Sequence, residues 1–209
     1  MEDPVMNEPK NEYALAGWLA IAAAVLILPT FVLSFATEIA KHRAPGLVLV
    51  FLVAYIAITI CYTLCGIYVI LRFRTYLNQK HGFHAIDGLI TAVVAGVIAI
   101  TLYVVPMKAL TSFGYFDEPP LALLIIVPMA VIAVTLGILG IVIGARLLGM
   151  PAQSTSYFKI YAWLSIAAGI CFATFILGPL GGLIDAAANI VLAMLFLNPD
   201  VDEVAPEFV

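Results

Sequence analysis

The sharpest chemical candidate in this chain is Asp185. It is the one ionisable side chain well inside an otherwise uncharged run, and Asn189 follows one helical turn later on the same face. A carboxylate at membrane depth is costly, and its default reading is a polar site for a proton, cation or small solute. Its place three residues after Gly182 allows another reading, in which it caps a short helix or serves as a structural hydrogen-bond partner. We therefore take Asp185 and Asn189 as the candidate intramembrane site.

Other candidates are weaker. His81, His84 and Asp87 are spaced three apart, but they lack a fourth donor and any recognised ligand signature, so no metal site is expected. No histidine lies in mid-span to hold a haem, and no cofactor is expected. Thr59, Tyr62 and Thr63, with Cys61 and Cys65, make one apolar stretch mildly polar. Hydroxyls there can bond their own helix carbonyls and need no ligand. Walker-type, HExxH and GxSxG motifs are absent, and no second carboxylate or histidine is available at depth as a base. The sequence reads as that of a non-enzyme. The basic stretch from Arg72 to Lys80 reads as a topological signal, with no nucleic acid as partner.

The elements that must position Asp185 are set by composition. Sixty-four per cent of the 209 residues are hydrophobic, 11 per cent are charged and the mean hydropathy is +1.14. That is too little polar surface for a water-soluble domain, so the bilayer is the solvent. Uncharged runs over 14–37, 44–71, 88–107, 119–145 and 160–184 each exceed the ~18 residues that mark a transmembrane candidate. They are apolar on every face, which fits helices and excludes the alternating strands of a barrel. The first run is too long for a signal peptide and follows an acidic leader.

The last apolar stretch would run about 57 Å as one helix from Ile160 to Leu197, against a hydrocarbon core of roughly 30 Å. Gly178-Pro179-Leu180-Gly181-Gly182 supplies turn chemistry, so a reversal is expected there. The expected fold is an all-α polytopic bundle with six spans, about 14–37, 45–71, 86–107, 120–148, 159–177 and 181–197, with five as the alternative. Acidic tails over 1–12 and 198–209 flank this single domain and hold eight of the thirteen acids. The three cysteines, Cys61, Cys65 and Cys171, lie inside spans and read as packing residues.

Lys10, Arg72, Arg74, Lys80, Arg146 and Lys159 fall on one side of such a bundle, and Lys41, Arg43 and Lys108 on the other. Basic residues stay cytoplasmic, which places the N-terminus inside, in a bacterial cytoplasmic (inner) membrane.

An internal repeat is also visible. Residues 17–25 align with 162–170 and pair the only two tryptophans, Trp18 and Trp163. Ala95-Gly96 with Thr101 and Pro106 matches Ala168-Gly169 with Thr174 and Pro179. Gly66 to Phe73 aligns with Gly140 to Leu147, and Asn189 to Phe196 is a weaker third copy. Three hairpins, 13–75, 86–148 and 158–197, are the expectation.

Small residues form a seam at Ala130, Ala133, Gly137, Gly140 and Gly144, and another at Gly182, Ala186, Asn189 and Ala193. In lipid, close backbone approach favours helix association, so such seams mark helix contacts within the chain, at a pore, or with a homo-oligomer or partner membrane protein. Two functions follow. The first reading is a non-enzymatic accessory or scaffold component of the membrane, which expects a dry interior. The alternative is a small-solute or ion transporter or channel, which expects a hydrated cavity at Asp185 and helices broken at Pro29, Pro128 and Pro179.

Overall fold

The computed structural model describes residues 12–115, 119–150, 156–174 and 176–198. Most of the acidic tails, and the linker at 151–155, lie outside the described residues. Six helices follow one another: α1 (Ala14–Arg43), α2 (Val48–His81), α3 (Asp87–Ser112), α4 (Pro119–Leu148), α5 (Ser156–Ala173) and α6 (Gly178–Leu197). A short 3₁₀ turn, Pro45–Leu47, leads into α2. No strand occurs among the described residues. Each of the six is long and apolar enough to cross a bilayer, where a helix satisfies its own backbone. Large apolar side chains such as Trp18, Val32, Phe35, Leu102 and Trp163 are more than 60% exposed. Such a surface is stable only against lipid. The chain is an integral membrane protein with six spans.

Two boundaries differ from those the sequence suggests. The basic stretch after Leu71 is not a loop, because α2 continues ten residues further to His81. Val69, Phe73, Tyr76 and Leu77 carry a buried stripe past the arginines, and burial outweighs the charges on the other face. Gly82 ends the helix at φ 58°, with the Phe83 N–H bonded to the Leu77 carbonyl at 3.2 Å. This left-handed cap needs glycine.

The second correction concerns the last reversal. It falls between the end of α5 at Ala173 and the start of α6 at Gly178, and Gly178–Gly182 opens α6 instead. Pro179 suits a helix start because its missing N–H falls where no intrahelical partner exists. Gly181 and Gly182 are there for close approach. A Cβ on Gly181 would lie 3.1 Å from Cys171 Cβ, and one on Gly182 would lie 3.1 Å from Phe31 Cζ. The hairpin itself stands. Pro29 and Pro128 also sit within uninterrupted helices, so neither breaks a span.

The helices form a ring. Each packs on its neighbours in sequence, and α6 closes on α1. The thinnest joints are those of α3 with α2 and with α4. One end of the ring is sealed by a cluster to which every helix contributes. The even helices each supply a pair four residues apart: Val69 and Phe73, Ile143 and Leu147, Leu192 and Phe196. These are the positions that the internal repeat aligns. The odd helices supply Ala16 and Ala20, Ile90 with Ile86 just before the start of α3, and Phe158 and Ala162. Rings of Tyr13, Phe73, Tyr76, Phe158 and Phe196 meet at centroid distances of 5.1 to 6.2 Å, which adds oriented aromatic contacts to apolar burial.

Along 17–25 and 162–170 the sequence of buried, half-buried and exposed positions agrees at eight of nine places. The exception is Ala20, buried, against Ser165, half-buried. α3 departs from this register. Ala95 is exposed and Gly96 half-buried, where Ala168 and Gly169 are both buried. Pro106 lies inside α3 whereas Pro179 opens α6, so that pairing does not hold.

Candidate functional site

Asp185 is the eighth residue of α6, well past the helix start, so it does not cap the helix. Tyr62 of α2 donates its hydroxyl to Asp185 Oδ2 at 3.1 Å. Asn189 Nδ2 donates to the Asp185 main-chain oxygen at 3.1 Å and to Oδ2 at 3.3 Å. Asn189 thus holds the carboxylate from behind, one turn along the same face. Tyr62 reaches it from across the ring, 123 residues away in the chain.

Asp185 opens on a cavity of about 380 Å³ inside the ring. Its walls come from α2 (Thr59, Tyr62, Thr63), α3 (Val97, Thr101, Val104), α4 (Ala133, Leu136, Gly140) and α5 (Tyr161, Ser165, Phe172) among others, with Asp185 from α6. The volume is that of a small-molecule site, or room for about a dozen waters at roughly 30 Å³ each. Its inner boundary adjoins the aromatic seal through Tyr161 and Ile143, and Phe172 carries it to the opposite end of α5. Asn189 is not among the lining residues.

The lining is mainly apolar, with hydroxyls at a few points. Thr63 and Thr101 meet at 3.2 Å between α2 and α3, and Thr101 also donates to the Val97 carbonyl at 2.8 Å. Tyr62 and Thr63 therefore bond across helices, rather than to their own helix carbonyls as the sequence allowed. Tyr161, Ser165 and Thr101 were not legible as site residues. Their only signal is a hydroxyl within an apolar span.

The small-residue seam has a different job. A Cβ at Gly137 would come 2.6 Å from Ala173 N and Gly169 O, and one at Gly144 would come 2.6 Å from Ala162 O. Gly140 faces Ser165 and Gly169, and Ala133 sits on the cavity wall. The seam is the contact of α4 with α5. On α6, Gly182 meets Ile27 and Phe31 of α1, and Gly17 of α1 meets Ala193 and Leu197.

His81 parts from His84 and Asp87. His81 joins the aromatic seal, with its ring 5.1 Å from that of Phe158. His84 Nδ1 lies 3.2 Å from Asp87 Oδ2, and Asp87 also accepts from Arg74 Nε at 2.8 Å and Asn78 Nδ2 at 3.0 Å. Among the described residues, no three His, Cys, Asp or Glu side chains come together as metal ligands. The Asp87 network instead ties the end of α2 to the start of α3, and Arg146 of α4 donates to the Ala85 carbonyl beside it.

The fold and site define a class: a six-helix integral membrane protein built around an internal cavity with one carboxylate on its wall. No family model matches the chain, and no curated protein or solved structure matches it either.

Proposed function

We propose that this protein binds a small solute inside the membrane and passes it across, with Asp185 as the polar anchor and Tyr62 and Asn189 orienting it. The observation that carries this reading is the cavity that reaches Asp185. A scaffold or accessory component has no use for an interior space with a carboxylate on its wall. Scaffolding also draws its support from small-residue seams, and the α4 seam is occupied by α5 of the same chain. A second copy or another membrane protein would have to meet the lipid-facing surface.

The reading is non-enzymatic. Among the described residues, no histidine or second carboxylate lines the cavity to pair with Asp185 as acid and base. We place the sealed end on the cytoplasmic side, since Arg72, Arg74, Lys80, Arg146 and Lys159 lie at that end, against Lys41, Arg43 and Lys108 at the other. In a bacterium this corresponds to the inner membrane, with the N-terminus inside.

Thiol labelling tests the reading. With Cys61, Cys65 and Cys171 replaced by alanine, Ser165→Cys in native membranes is expected to react with a small, water-soluble methanethiosulfonate. Leu192→Cys, in the sealed cluster, is expected to stay unreactive. A Ser165→Cys protein as inert as Leu192→Cys would mean a dry interior and return the scaffold reading to first place.

A further inference from the structure

We infer that the occupant of this cavity is a small organic cation with an apolar body, its charge at Asp185 and its body along the apolar walls. The inference rests on the solute-binding reading and adds the chemical class of the solute.

Charge comes first. Among the described residues, Asp185 is the only carboxylate on the cavity wall, and no lysine, arginine or histidine lines it. A carboxylate withdrawn from water needs a partner of opposite sign or a proton. Both side-chain donors, Tyr62 and Asn189, are spent on Oδ2. Oδ1 accepts no hydrogen bond among the described residues, which leaves it for a guest. An anion is repelled here, and a neutral apolar guest makes no use of the carboxylate.

The walls exclude a bare metal ion. Hard cations need several oxygen ligands converging on one point, six or more for calcium. The hydroxyl of Tyr62 is held by Asp185 and those of Thr63 and Thr101 meet each other, which leaves the hydroxyls of Thr59, Tyr161 and Ser165, on two helices, in a surface otherwise apolar. An inorganic ion would lose its water and gain one carboxylate and a few neutral hydroxyls. An organic cation recovers its desolvation cost through the apolar area it buries. The rings of Tyr62, Tyr161 and Phe172 line the same space, and aromatic faces attract desolvated cations.

A proton and an organic cation compete for the same oxygens of Asp185, so binding is expected to weaken as the medium is acidified. The test uses the full chain in detergent and two probes of one shape: benzyltrimethylammonium, a permanent cation, and its neutral carbon isostere neopentylbenzene. Titration calorimetry is expected to show binding of the cation at least about tenfold tighter than that of the isostere, with a preference that falls on acidification and is lost in Asp185→Asn. Equal affinity for both probes, or a cation preference that survives in Asp185→Asn, overturns the inference. The wild-type comparison stands even if Asp185→Asn fails to fold. The two readings fail separately: an inert Ser165→Cys defeats solute access, whereas labelling of Ser165→Cys with equal probe binding defeats only the cation.

Discussion

Tyr62 and Asp185 bond across the ring, between residues 123 apart in the sequence. Interhelical hydrogen bonds in lipid are worth roughly 0.6 to 1.7 kcal/mol, because the separated helices also find partners. Tyr62→Phe is expected to destabilise the protein by an amount in that range, read as a lower unfolding midpoint in detergent. Asp185→Asn keeps an acceptor for Tyr62 and is expected to cost less. A larger loss in Asp185→Asn than in Tyr62→Phe would show that the charge itself holds the fold. Asp185 is legible in the sequence because an acid stands out in an apolar run. Tyr62 is not, because nothing local tells a tyrosine at a lipid surface from one aimed across a ring.

At the scale of the helix, the small-residue seam on α4 is where shape decides. A side chain at Gly137 would collide with backbone atoms of α5, which cannot rotate away. Gly137→Leu is expected to cost about 1–3 kcal/mol or more, visible as a lower thermal midpoint in detergent. Gly66 has open space around its Cα, and Gly66→Ala is expected to be neutral or to stabilise by up to about 1 kcal/mol. Equal effects of the two changes would remove the seam from the account of packing. The sequence showed the seam but could not say which helix fills it. It showed the last hairpin but put the reversal four residues late, because Gly-Pro and Gly-Gly serve a helix start and a close contact as readily as a turn. It also ended α2 at its arginines, although Phe73, Tyr76 and Leu77 continue the buried spacing beyond them.

For the whole molecule, an even number of spans brings both tails out on one side. Reporter fusions at the N- and C-termini are expected to report the cytoplasm, and one after Ser112 the opposite side. Opposite results at the two termini would leave five crossings and detach α6 from the hairpin. Span number was readable from length alone. The closure of α6 on α1 was not, because ring geometry depends on contacts between residues far apart in sequence.

One wall of this ring is fastened unlike the others. α3 has thin joints along its length, yet its start is tied by Asp87 to Arg74. At its other end Lys108 pairs with Glu38 at 3.6 Å and reaches the Ser34 carbonyl, while Lys41 reaches the Thr111 carbonyl. Fasteners made of partly exposed charge loosen in salt, whereas the glycine and aromatic contacts elsewhere do not. Raising ionic strength is therefore expected to speed hydrogen exchange in α3 ahead of the other five helices. Under the proposed function, α3 is then the wall expected to part first when a guest enters or leaves.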